Sequence, residues 1–220
     1  MASVCIYLHR GMAHQSMKFH PWLQHTFRFW LWLTDGVNVR EWVVTHRKHH
    51  RYTDKPGDPH SPCVQGIKVV AWHNFISTVV QRYKSNPTPL EMEVYSVGCP
   101  NDWLEKVYAT KVGLVIMLII DVLLFDRIGI LVWLVQIAWT PFWTCTVVNG
   151  LCHYGLGYQA KGCQDNSRNI PLLGLFLIGD EYHSNHHTHP GSPKLSRTWY
   201  EFDLSWAYIK VLKRVGMIHV

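Results

Sequence analysis

The sequence predicts an all-α integral membrane protein in which a cytoplasmic helical cap carries a histidine-rich site for two metal ions. Three observations carry that expectation. Residues Ile128–Ala160 contain no Asp, Glu, Lys or Arg, and about 20 apolar helical residues cross the ~30 Å hydrocarbon core of a bilayer. The chain is 48% hydrophobic with 11 Trp, so a large apolar mass must be covered by protein or lipid. It also holds 15 histidines, most of them in tight groups.

The net charge of +6 leaves nucleic acid, an anionic membrane surface or an acidic partner open. No nucleic-acid-binding module is present, and the aromatics lie in apolar runs away from basic residues, which argues against nucleic acid. The six cysteines form no CxxC pair, so they read as reduced thiols, neither a disulfide frame nor a thiolate metal site.

In chain order, residues 1–8 are apolar and His9-Arg-Gly-Met-Ala-His14 follows. A spacing of five sets two side chains roughly 140° apart on an α-helix, so Gly11 is expected to break the helix between them. The pair is then either two ligands on different elements or two histidines of a basic loop. Residues 22–45 begin as a Trp- and Leu-rich run but contain Arg28, Asp35, Arg40 and Glu41. They lack the ~18 uncharged residues of a span, and an interfacial, protein-capped helix is expected.

That helix should continue into His46, His49 and His50, whose i, i+3, i+4 spacing puts them on one face. Three protonated imidazoles there would repel one another; neutral ones around a cation would not. Residues 52–62 form a turn-rich break, residues 64–84 an amphipathic helix ended by Ser85-Asn-Pro-Thr-Pro89, and a polar stretch runs on to Lys106.

Two spans are expected at about residues 107–125 and 129–150, joined by a tight turn at Asp126-Arg127. A buried soluble hairpin is the alternative. Asp121 should face protein or lie near the turn. Two spans return the chain to its starting side, collecting every histidine group on one membrane face. Basic residues crowd that face, and the positive-inside rule makes it cytoplasmic.

Asn149 and His153, at i and i+4, sit where the second span emerges, as an interfacial hydrogen-bonded pair or as ligands. A loop at 164–171, a short apolar segment and Gly179-Asp-Glu181-Tyr lead to His183-Ser-Asn-His186-His187. Residues 199–213 read as an amphipathic closing helix.

Nine histidines (His9, His14, His46, His49, His50, His153, His183, His186 and His187) exceed the four ligands of one tetrahedral ion. Two five- or six-coordinate ions, with Asn149 ligating directly or through water, match the count. Imidazole suits zinc, copper, iron and nickel alike. Two redox-capable metals beneath an apolar compartment point to oxidation of a lipid chain, which zinc would not support. No catalytic side chain beyond the ligands is expected. Asp58 and Glu181 are candidates for orienting imidazoles, and His60 for orienting a ligand or headgroup. His20, His25, His73, His189 and His219 read as surface residues, and His189-Pro-Gly-Ser192 as a turn.

His9-Arg-x-x-Ala-His14, His46-Arg-Lys-His-His50 and His183-Ser-Asn-His-His187 resemble the three histidine boxes of membrane fatty acid desaturases. Asn149-x-x-x-His153 is similar to the additional ligand pair of the stearoyl-CoA desaturase branch. Glu41-Trp, Asp58-Pro-His60 and Gly179-Asp-Glu-Tyr match the flanks, and the likeness is nearest to bacterial Δ9-type enzymes. It implies a single desaturase domain over residues 1–220 with two non-haem iron ions. With O₂ and two electrons, these would remove two hydrogens from a saturated acyl chain carried on CoA, a carrier protein or a lipid. A ferredoxin, rubredoxin or cytochrome b5 would supply the electrons, and the bacterial inner membrane would be the location. The family also carries a transmembrane hairpin before the first box, of which residues 1–8 would be the remainder. A lipid hydroxylase, or an inactive truncated membrane metal-binding paralogue, is the alternative.

Overall fold

The computed structural model describes residues 1–81 and 87–220. Among the described residues the regular structure is helical, apart from one two-residue ladder and the isolated bridges Tyr158–Asn169 and Asn169–Tyr182. The chain opens on a π-helix, Ser3–Ala13. Its i→i+5 bonding sets residues five apart nearly over one another, and the His14 N–H donates to the His9 carbonyl at 3.2 Å. Gly11 therefore does not break the helix, contrary to the α-helical expectation. It lets the turn pass the Phe19 ring, which a Cβ would overlap.

The single helix expected over 22–50 is two. Helix α1 (Pro21–Thr34) ends at Asp35, and α2 (Val39–Tyr52) starts afresh on Asn38, whose side chain accepts the Glu41 N–H at 3.2 Å. A core of Val4, Tyr7, Leu8, Ala13, Leu31, Val39 and Val43 packs the π-helix against both. Next come α3 (Pro62–Gln65), a π-turn at Val69–His73 and α4 (Asn74–Gln81). Gly66 (φ +88°) and the π-turn divide what the sequence presents as one helix; its expected end at 82–86 lies outside the described residues. The polar stretch holds α5 (Pro89–Tyr95) and α6 (Trp103–Tyr108).

The apolar hairpin begins at Val112, later than the expected 107. Trp32 Nε1 donates to the Thr110 carbonyl at 3.1 Å and Thr110 Oγ1 to the Val107 carbonyl at 2.6 Å, so the chain breaks there. Helix α7 (Val112–Phe125) has 14 residues, about 21 Å of helix. Helix α8 (Arg127–Pro141) continues through a π-segment, Phe142–Gly150, and a 3₁₀ turn, Leu151–His153. Arg127–His153 is thus one 27-residue helical run, the one among the described residues long and apolar enough to cross a membrane.

Gly129 allows the close crossing of α7 and α8, because a Cβ there would strike the Asp121 carbonyl. Trp133 Nε1 donates across to the Leu114 carbonyl at 2.8 Å. Asp121 is buried between the helices, whereas Leu123, Leu124, Ile128, Leu131 and Val135 point outward and are exposed. The hairpin is therefore not covered by the rest of the described chain, and exposed apolar surface of this extent marks an interaction face.

Helices α9 (Gly174–Leu177) and α10 (His183–Thr188) follow, and α11 (Leu204–Arg214) closes the chain on an Asp203 N-cap. The antiparallel ladder β1 (Lys18–Phe19) with β2 (Ile218–His219) ties the tail back to the start. Nothing in the sequence pattern announced it. All six cysteines are free.

Candidate metal centre

Four elements deliver the nine histidines. The opening π-helix carries His9 and is capped by His14, α2 carries His46, His49 and His50, the 3₁₀ turn carries His153, and α10 carries His183, His186 and His187. Arg47 fastens α2 to the π-helix by donating to the carbonyls of Met12 and Ala13, each at 2.7 Å. Helix α10 is only six residues long and would not hold alone. Asn169 Oδ1 accepts the N–H groups of Ser184 and Asn185 at 2.9 and 3.1 Å. Asn185 Nδ2 in turn donates to the Leu195 carbonyl and to Glu201, both at 2.9 Å.

The histidines fall into two groups whose ring nitrogens lie within metal-sharing distance: His9, His14, His46, His50 and His186, and separately His49, His153, His183 and His187. In the first, the Nε2 atoms of His9–His186, His186–His50 and His14–His46 are 3.0, 3.0 and 2.8 Å apart. In the second, His153–His183 are 2.9 Å and His49–His187 3.4 Å apart. Nitrogens ~2.1 Å from a common ion at right angles to each other stand about 3.0 Å apart.

The tautomers decide whether these contacts are hydrogen bonds. Four histidines turn Nδ1 to an aspartate: His9 to Asp180 at 3.2 Å, His49 to Asp58 at 2.9 Å, His153 to Asp54 at 3.2 Å and His187 to Asp165 at 2.9 Å. A carboxylate only accepts, so each Nδ1 bears a proton, and a neutral ring held this way presents an Nε2 lone pair. His49 and His187 therefore face one another lone pair to lone pair. Protonating them is no remedy. Burial, followed by repulsion from neighbouring imidazoles, holds His14, His46, His49, His50, His183, His186 and His187 well below the ordinary histidine range. Converging neutral imidazoles in a buried pocket fit a bound cation.

Asp58, singled out from sequence, accepts from His49 Nδ1 and also from the backbone N–H groups of Asp54 and His60. His60 is buried, its ring centroid 4.4 Å from that of His49, and its Nε2 has no partner among the described residues. Asn149 lines a cavity of about 30 Å³ with His9, His46, His60, Asp180 and His183, room for a water between it and either group. Glu181 does not join the imidazoles. Its Oε2 accepts the Gly179 N–H at 2.6 Å and its Oε1 has no partner among the described residues. The neighbouring Asp180 takes the position beside His9.

Asp54, Asp165 and Asp180 were missed because each lies in a loop whose partner histidine is 22 to 171 residues away. Their only linear signal is position within the turn-rich segments that flank the histidine clusters. His20, His25, His73, His189 and His219 are exposed, and the Ser192 N–H closes a turn on the His189 carbonyl at 3.1 Å.

A family model for fatty acid desaturases matches residues 1–211. Among curated relatives, Delta-9 desaturase-like 3 protein of Arabidopsis thaliana is 29% identical over 219 residues, covering 98% of this chain and 70% of the relative. Delta-9 acyl-lipid desaturase 1 of the same plant is 29% identical over 222 residues, 97% of this chain and 68% of the relative. Its chloroplastic palmitoyl-monogalactosyldiacylglycerol delta-7 desaturase is 27% identical over 221 residues, covering 99% and 57%.

Proposed function

The chain belongs to the fatty acid desaturase family, and we propose that it is a membrane diiron oxidoreductase that places a double bond, at the Δ9 position, in a saturated acyl chain. The observation that carries this reading is the convergence of nine imidazoles into two adjoining groups, in a chain whose hairpin exposes an apolar face.

His9, His14, His46, His50 and His186 would hold one iron, and His49, His153, His183 and His187 the other, with Asn149 acting through a water. Bound there, the pair supplies one-electron chemistry toward O₂ that no side chain of this protein possesses. The overall change balances as one –CH₂–CH₂– unit, O₂, two electrons and two protons giving –CH=CH– and two waters. The protein's share is positional. The four aspartates fix ring tautomers and orientation. A second cavity, lined by Asp35, Gly36, Val37, Thr78, Thr140 and Pro141, shares Trp42 and Thr144 with the cavity at the histidines, and this supports a path for the acyl tail toward them.

The exposed apolar faces of α7 and α8 support a lipid-embedded, multi-pass arrangement, and the positive-inside rule puts the histidine face in the cytoplasm. A separate one-electron carrier of ferredoxin, rubredoxin or cytochrome b5 type would reach the centre from that face.

The test is lipid chromatography of an expressing strain, with and without the substitutions H49A and H186A. A new monounsaturated chain is expected from the parent and none from either variant, with membrane insertion intact in all three. Full product from either variant overturns the assignment, and a new hydroxyl in place of a double bond makes the protein a hydroxylase.

A further inference from the structure

The two histidine groups differ in what stands behind them. Three of the four imidazoles in the second group are backed by aspartate: His49 by Asp58, His153 by Asp54 and His187 by Asp165. In the five-imidazole group, among the described residues, only His9 has such a partner, Asp180. Each group also holds one imidazole whose buried Nδ1 has no partner among the described residues, His183 in the four-imidazole group and His186 in the five-imidazole group, so the difference lies in the aspartates.

The quality of the aspartates differs as well. Asp54, Asp58 and Asp165 are otherwise held by neutral donors. Asp54 accepts from Ser61 Oγ and the Asn166 N–H at 2.7 and 2.8 Å. Asp58 accepts the Asp54 and His60 N–H groups at 2.9 and 3.0 Å. Asp165 accepts from the Ser167 N–H and Oγ at 2.9 and 2.5 Å. Asp180 instead shares its charge with the buried Arg10 guanidinium at 3.6 Å. A carboxylate on the far nitrogen makes an imidazole a stronger donor to a metal, and an arginine on that carboxylate withdraws part of the effect.

Resting on the two-metal reading above, we propose that the pair of sites is built unequal: Asp54, Asp58 and Asp165 make the four-imidazole group the tighter site, which fills first, and the five-imidazole group fills second. Ligand number alone predicts the opposite order, so the proposal separates the influence of the aspartates from that of imidazole count. The three aspartates are positioning residues, acting through the ligands they hold. Loss of such a partner lowers metal affinity by 10–100-fold.

The experiment uses the full chain, purified in detergent and stripped by chelation, titrated anaerobically with Co²⁺ alone against a competing chelator. Metal per chain and the visible Co²⁺ absorption are read together. H153A and H50A assign the absorption of each group. The parent should bind two Co²⁺, the first at least ten-fold tighter and carrying the four-imidazole spectrum. D54N and D165N keep an acceptor for Nδ1 but remove the charge, and each should weaken that ion 10–100-fold while sparing the other. D180N should do the reverse. D58N is a third variant of the first class should either of the others fail to fold, and thermal unfolding of the metal-free chains reports folding. Two ions bound with equal affinity, or D180N weakening the first ion while D165N spares it, overturn the inequality and leave the two-metal reading standing. Fewer than two Co²⁺ per parent chain overturns that reading itself.

Discussion

The Nε2 atoms of His49 and His187 face each other at 3.4 Å, and both rings have committed their Nδ1 protons to buried or half-buried aspartates, Asp58 and Asp165. Two lone pairs so placed are held together by the scaffold against their own repulsion, and a cation between them converts the repulsion into attraction. Removing metal should therefore destabilise the protein. A ligand present at 100 times its dissociation constant stabilises the fold by about 2.7 kcal/mol per site. Thermal unfolding in detergent should show Tm falling on chelation and recovering when divalent metal is restored. An unchanged Tm would count against a cation at this centre.

Gly11→Ala probes the π-helix. The new Cβ would overlap the Phe19 ring, and Phe19 packs on Tyr7 with ring centroids 5.3 Å apart. Overpacking of this kind costs about 1–3 kcal/mol. Relief by tightening the turn toward an α-helix would swing His14 away from His46, whose Nε2 lies 2.8 Å from that of His14. The expected result is a lowered unfolding midpoint together with loss of metal from the five-imidazole group. Parent-like stability and metal content would show that the π-turn is not what places His14.

The π-helix also marks where sequence reasoning stops. The i, i+3, i+4 clusters at His46–His50 and His183–His187 are legible because their elements are α-helical and the period of 3.6 applies. His9 and His14 are not, because the spacing of five has meaning only once the winding is known. The apolar hairpin is legible from composition, yet the start of its first helix depends on the Trp32–Thr110 hydrogen bond across 78 residues. The pairing of Asp54 with His153 spans 99 residues and Asp165 with His187 spans 22, through loops that have no period at all. Local chemistry is written in spacing, whereas the groups behind the ligands are set by tertiary contact.

Glu181 and Asp165 make a matched contrast. Both are acids in loops beside histidine ligands, but Glu181 bonds the Gly179 N–H and touches no imidazole. Burial already pushes its carboxyl up to about 7, so loss of the charge removes little. Glu181→Gln should leave metal per chain unchanged, while an amide buried where Oε1 has no partner among the described residues costs about 1–3 kcal/mol of stability. A metal loss as large as that of Asp165→Asn would place Glu181 behind a ligand after all.

The clamp between α1 and α6 predicts a pH dependence whose sign follows from Asp102. The guanidinium of Arg28, 1% exposed, donates to Asp102 at 2.7 and 2.8 Å and to Glu105 at 3.0 Å. The Arg28 hydrogen bond, working against a smaller effect of burial, holds the Asp102 carboxyl at about 2, below the ~3.9 of an unfolded chain. As pH falls, the unfolded chain takes up this proton first. The stabilisation is complete above about pH 4 and is lost between there and about pH 2. Asp102 is 42% exposed at its side chain, so solvent screening limits the effect to at most about 1 kcal/mol. Glu105 works the other way. Its burial raises the carboxyl, so its proton binds the folded chain more readily and it lends no stability that acid would remove. Chemical unfolding midpoints from about pH 5 to about pH 2.5 should fall less steeply in Asp102→Asn than in the parent. Identical slopes in the two chains would mean that the Arg28–Asp102 contact does not persist in solution.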